Sequence, residues 1–375
     1  MNKILNCLAN KVMCTAVVAL GAFAAGAESV LTTNALYDAV NTDVSVGYQV
    51  SGREGVEIAV VFTHDACEVI NWKVPARLND VQFLVVGGGG GGGSGGDTGE
   101  SDNYHGVAGG GGGGVVTGSI FRLTKNWNVS VIVGKGGDGG IAKGTSIDEV
   151  SSEETVAAKN GGDSKFLVNE TLYVKAPGGG GANKKTGGQG GSNSGSRTST
   201  SVAIWDSSLF YTNSTYITSS IFGNPGGKAN STAPASAGGG GGALEAGHNG
   251  VSDPSRKAGD GGEGLRTSIT GDSAVYGSGG GGGQSYYQGT RTQGFGGEGA
   301  GDGGRCGNST AYNASNHTIA SNALPNQGGG GGGGFRRSRD GAKTFIISNG
   351  GNGGSGIVVF RYKDPIKPGF KVIVR

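Results

Sequence analysis

The side chains able to do chemistry are few and scattered. Gly134-Lys135-Gly136-Gly137-Asp138-Gly139 follows a strand-like run and fits the G-x-G-x-x-G spacing of a phosphate cradle. In a dinucleotide site that spacing opens a helix within a βαβ unit, so the helix N-terminus meets the pyrophosphate. No helical period follows here, and with 84 glycines in 375 residues composition alone produces the pattern. His64-Asp65-Ala66-Cys67 sets an imidazole beside a thiol. A cysteine nucleophile needs a histidine oriented in space and an oxyanion site, so sequence adjacency reads more simply as a turn. His105, His248 and His317 stand alone, and no HExxH, CxxC or EF-hand spacing occurs. Asp97, Asp138, Glu298 and Asp302 lie beside glycines without the nonapeptide of calcium rolls, and read as turn residues. Arg336, Arg337 and Arg339 read as a solvated turn. No acid, base and nucleophile come together, so the expectation is a protein that is not an enzyme and holds no cofactor or metal.

Recognition has better candidates. Tyr104 lies in 97–108, and Trp205, Phe210, Tyr211 and Tyr216 lie in 192–220. Tyr286, Tyr287, Arg291 and Phe295 lie in 284–295, and Tyr312 in 305–327. Tyrosine among Ser, Asn and Gly, with an occasional Trp or Arg, is the composition of adaptable binding loops. Recognition commonly sits on loops held by a rigid scaffold. The alternative is that these aromatics cap the ends of the scaffold.

The elements that would hold these loops are short strands and runs of glycine. Strand-like runs occupy 56–63, 68–74, 81–86, 115–123, 128–133, 165–168, 171–175, 357–362 and 370–374. Between them come unbroken glycines at 87–93, 109–114, 178–181, 238–242, 279–283 and 328–334. Seven consecutive glycines cannot be helical, at about 1 kcal/mol per residue against alanine. As a strand they would bring no side chains to pack. The polyproline-II conformation remains, with three residues per turn and about 3.1 Å rise. It makes no internal hydrogen bonds, so a buried run must bond to its neighbours. Without Cβ atoms the backbones can approach closely enough to do so. The expected fold is all-β: an antiparallel β-sandwich combined with a bundle of polyglycine-II helices, with almost no α-helix.

Residues 1–27 read as a signal peptide, with Lys3 and Lys11, an apolar stretch at 12–25 and a small-residue cleavage site at Ala25-Gly26-Ala27. The rest, 28–375, reads as one glycine-rich domain: a β lead-in at 28–86, the bundle and its loops at 87–354, and closing strands at 355–375. Losing Lys3 and Lys11 leaves 28 basic residues against 28 acidic ones. A neutral chain has no electrostatic footprint for nucleic acid, and no later stretch is apolar enough to insert in a membrane. Cys67 and Cys306 remain, either as a disulfide of an exported protein or as two buried thiols.

Several stretches occur in a familiar order: FLVVGGGGGGG at 83–93, VSVIVGKGGDGG at 129–140, NGGDSKF at 160–166, APGGGG at 176–181 and GGNGGSGIVVFRY at 350–362. Over roughly 56–362 the chain resembles the glycine-rich domain of phage tail-tip adhesins and of secreted bacterial proteins. More loosely, it is similar to the glycine-rich extracellular module of anaplastic lymphoma kinase family receptors. The resemblance implies a polyglycine-II bundle joined to a β-sandwich, with loops at the bundle's tip that bind a surface partner and no chemistry. The expected function is a secreted or surface-displayed, adhesin-like binding protein whose partner is a cell-surface glycan or protein. The alternative is a structural protein of the extracellular matrix or cell envelope.

Overall fold

The computed structural model describes residues 48–53, 57–64, 69–95, 104–142, 155–169, 172–182, 187–196, 206–212, 216–230, 236–251, 257–285, 292–306, 317–338 and 345–363. The signal peptide and the strand expected at 370–374 lie outside them. The described residues are mostly strands and non-helical runs, and they include a short 3-10 turn at Ser207–Leu209. None of their helices is long and apolar enough to cross a membrane.

One antiparallel sheet has six strands, in the order β1 (Tyr48–Arg53), β2 (Glu57–Thr63), β18 (Ile357–Tyr362), β4 (Leu78–Val86), β6 (Val115–Leu123) and β13 (Ile217–Phe222). The second has five: β12 (Tyr211–Thr212), β11 (Leu172–Ala176), β10 (Ser164–Val168), β7 (Asn128–Ile132) and β3 (Ile70–Lys73). Alternation along the strands gives each sheet an apolar face, and both faces feed one core cluster. At its centre Phe166 lies 4.9 Å from Phe360, and Trp72 stacks on Phe360 at 5.6 Å. A smaller cluster covers part of the other face of the six-stranded sheet. It joins Leu84, Val86 and Val359 to Ile269 and to Tyr276 of the hairpin β14 (Leu265–Thr267)–β15 (Ala274–Tyr276). A three-stranded sheet orders β17 (Phe345–Ile347), β16 (Phe335–Ser338) and β5 (Tyr104–Gly106), and β8 (Ile141–Ala142) pairs with β9 (Thr155–Val156).

The inner strands run straight into the glycines. Val86 pairs with Val115 and with Ile357, and the next amide, Gly87, donates to Gly114 at 2.9 Å. Strand pairing thus fixes which runs become neighbours and at what level. From there the pairing repeats every third residue. Gly87, Gly90 and Gly93 donate to the carbonyls of Gly114, Gly111 and Ala108. Gly88 and Gly91 donate to Gly162 and Lys159, and Gly89 and Gly92 to Gly354 and Gly351. The carbonyls of the same run accept from Gly179 and Ala182, from Gly137 and Gly140, and from Gly331 and Gly334. Residues 87–93 therefore have a neighbouring segment on every side. Runs 107–114, 237–243, 277–284 and 328–334 are surrounded in the same way.

This answers why some runs are pure glycine and others are not. A Cβ on Gly92 would come within 1.9 Å of the Gly332 carbonyl oxygen, and one on Gly240 within 1.9 Å of that of Gly110. In several outer segments the longer side chains face away from the glycine runs, again every third residue. Lys135, Asp138 and Ile141 are such a series, as are Lys257, Asp260 and Glu263, and Asn349, Asn352 and Ser355. The apparent G-x-G-x-x-G spacing at 134–139 is the outward face of one of these segments.

Many outer side chains turn back to satisfy amides at the bundle's edge. Gly139 donates to Asn352 Oδ1 at 2.7 Å, Ala142 to Asn349 Oδ1 at 2.9 Å, and Gly181 to Asn160 Oδ1 at 2.7 Å. Asp163, Asp260 and Asp302 accept in the same way from Gly178, Phe295 and Gly296. Asn352→Ala is expected to cost about 1 kcal/mol in urea unfolding, the net worth of one partly exposed hydrogen bond. Asn352→Asp, which keeps the acceptor, is expected to recover most of it.

Candidate functional site

Among the described residues, the aromatics proposed as a binding surface lie on different elements. Tyr211 is half exposed on β12, its ring 5.2 Å from that of Tyr173 on the neighbouring strand. Tyr216 is exposed at the start of β13, and its carbonyl accepts from the Phe121 amide. Phe295 is exposed on an outer segment of the bundle, with Lys257 Nζ 5.8 Å from its ring centre. Phe210 is a core residue: it is buried among both sheets, and its ring occupies the space a side chain on Gly114 would need. Sequence placed it in a polar loop because its neighbours are Ser, Leu and Tyr, but Asp206 caps a 3-10 turn that aims it inward. The backbone of Tyr104 belongs to β5. Trp205, Tyr286, Tyr287, Arg291 and Tyr312 lie outside the described residues.

The titratable groups are engaged in structure. His64 Nδ1–H donates to the Val133 carbonyl at 2.9 Å, which ties the end of β2 to the segment after β7. The Asp138 carboxylate lies between Lys135 and Lys159, whose hydrogen bonds hold it below its ordinary pKa. Glu298 pairs with Arg266. Among the described residues, no three His, Cys, Asp or Glu side chains converge as a metal site would require.

Arg336 and Arg337 contradict the expected solvated turn. Both are 3 % exposed, in β16 between β17 and β5. Cys306 is buried nearby with Phe335 and Ile346, its sulfur 3.5 Å from Arg337 Nη1. Burial pushes its thiol pKa up, partly offset by Arg337, and burial together with Arg337 pushes that of His317 down. Cys67, the other half of the possible disulfide, lies outside the described residues.

Sequence reasoning missed the open face of the six-stranded sheet. Strand β13 reads ITSSIF, and its first four residues fall within the expected loop 192–220, yet it pairs with β6 along its full length. Thr218 of β13 and Thr117 and Ser119 of β6 line a groove with Gln82, Thr267, Ser268 and Arg361. The legible signal was Ile217, Ile221 and Phe222 framing a β-branched and hydroxyl-bearing stretch.

A family model described as a glycine-rich domain matches residues 64–363, and the chain belongs to that family. A search of curated proteins found no match.

Proposed function

From membership of the glycine-rich domain family we propose a secreted or surface-displayed, non-enzymatic binding protein. In this reading the glycine runs are polyglycine-II helices, the two large sheets form a β-sandwich, and together they hold recognition loops rigid. The observation that carries it is the contrast between a scaffold whose backbone amides bond to one another and the exposed Tyr211, Tyr216 and Phe295 at its surface. The three-residue period of the glycine pairing supports the polyglycine-II assignment. Export with cleavage after Ala27 belongs to the same proposal, and the partner is a cell-surface glycan or protein.

The test is binding of purified 28–375 to an array of cell-surface glycans and extracellular proteins. Tyr211→Ala, Tyr216→Ala and Phe295→Ala are each expected to leave stability within about 0.5 kcal/mol, because the side chains are exposed. At least one should weaken binding about ten-fold or more, as truncation of an interface aromatic does. Binding that ignores all three substitutions would remove these residues from the site. A stable protein that binds nothing on the array would favour the alternative, a structural protein of the matrix or envelope.

A further inference from the structure

We propose that the uncovered part of the six-stranded sheet is a binding groove for a neutral oligosaccharide. This site is separate from the loop surface and does not depend on it. The hairpin β14–β15 covers the end of this sheet face nearest the glycine runs, with Val86, Val115 and Ile357 beneath it. Beyond that cover the face opens into a groove of about 520 Å³, within the usual range of small-molecule sites, roughly 300–1,000 Å³.

The chemistry of the walls is specific. Gln82, Thr117, Ser119, Thr218, Thr267 and Ser268 contribute an amide and five hydroxyls. A hydroxyl both donates and accepts, so such a wall matches a ligand whose own groups do the same. Ser119 Oγ and Thr218 Oγ1 are 2.8 Å apart across β6 and β13, which fixes their positions. Ile269, mostly buried, leaves a small apolar surface among the polar groups, with Leu84 packed beneath it. Outside the lining, Phe121, 68 % exposed, lies on the same strand face as Thr117 and Ser119, two residues beyond Ser119. An aromatic face beside a row of hydroxyls suits a sugar ring, which has C–H surfaces and an equatorial rim of hydroxyls.

Charge argues for a neutral ligand. The one formal charge in the lining is Arg361. Its guanidinium is committed to the protein: Nε and Nη2 bond the Glu57 carboxylate, and Nη1 bonds the Ser268 carbonyl at 2.6 Å. Arg361 therefore braces the groove wall against β18 and brings its counter-charge with it. The groove is open along its length rather than enclosed, which suits a chain lying along the sheet.

The experiment is saturation-transfer NMR and calorimetry on residues 28–375 with neutral trisaccharides of glucose, mannose and N-acetylglucosamine, and sialyllactose as the acidic comparison. At least one neutral trisaccharide is expected to bind. Thr117→Val and Ser119→Ala should each weaken it about three- to ten-fold, the worth of one neutral hydrogen bond. Ser119→Trp, which fills the groove, should abolish it, while Phe295→Ala leaves it unchanged. A melting curve and amide spectrum matching the parent show that the Trp variant is folded. Failure of every neutral sugar, preference for sialyllactose, or binding that survives Ser119→Trp overturns the groove. A sugar signal lost in Phe295→Ala and kept in Ser119→Trp would place the site on the loop surface instead.

Discussion

Gly331→Ala is expected to destabilise the protein by about 3 kcal/mol or more, among the larger effects of a single methyl group. Gly331 donates to Gly90, accepts from Gly110, and an added Cβ would stand 2.0 Å from the Gly351 carbonyl oxygen. Ordinary overpacking is relieved by rotating side chains. Here the obstacle is backbone, and that backbone is itself bonded on its other sides. Relief requires run 328–334 to separate from 348–356, which would stretch the bonds of Gly351 to Gly332 and of Gly354 to Gly329. A substitution such as Asp138→Ala, on the outward face of segment 134–140, serves as the comparison. It loses only exposed ion pairs with Lys135 and Lys159 and is expected to move stability by less than about 1 kcal/mol. Urea midpoints of the two variants check the pair. Equal, small shifts would mean that the central runs are packed far more loosely than the described contacts.

The same geometry explains what was legible in the sequence. The unbroken runs and the apolar strands that enter them were readable, because nothing but glycine tolerates backbone on every side. Strands β2, β4, β6, β7, β10, β11 and β18 follow from their β-branched and aromatic residues. The simple division into lead-in, bundle and closing strands does not describe the interleaving: β6, β7, β10, β11 and β13 all lie between glycine runs in the chain yet belong to the two large sheets. The outer segments carry a pattern that the reading of 134–139 as a product of composition does not capture. Their non-glycine residues keep a period of three, as in Lys257, Asp260 and Glu263, which neither the helix nor the strand template detects. Strand β13 is hard to read for another reason: its middle positions, Thr218, Ser219 and Ser220, are exposed, so the strand shows no apolar alternation. Phe210 and the paired Arg336 and Arg337 were misplaced because burial there depends on contacts with residues distant in sequence.

Amide exchange should separate the central runs from the outer ones by orders of magnitude. A glycine contributes one N–H bond, worth about 1 kcal/mol net, against roughly 1–2 kcal/mol of backbone ordering, more for glycine than for any other residue. A run on its own is therefore not stable, and its order is borrowed from the strands that set its register. An amide in 87–93 or 328–334 can open only when its neighbours separate, so it should exchange through global unfolding and be slowed by about 10³ or more. Amides in 134–140 and 257–263, with one side toward solvent, should exchange sooner. Phe360→Ala sharpens the test. It removes a ring stacked with Trp72 and packed on Phe166, at an expected cost of about 3–5 kcal/mol. If the sheets template the bundle, exchange in 328–334 should accelerate as much as exchange in β4 and β10, although Phe360 lies in the apolar core cluster and not among the glycine runs. Acceleration confined to the strands would mean that the bundle holds its own order. Exchange of 328–334 within seconds in the unmodified protein would make the runs linkers and leave the short sheets to carry any function.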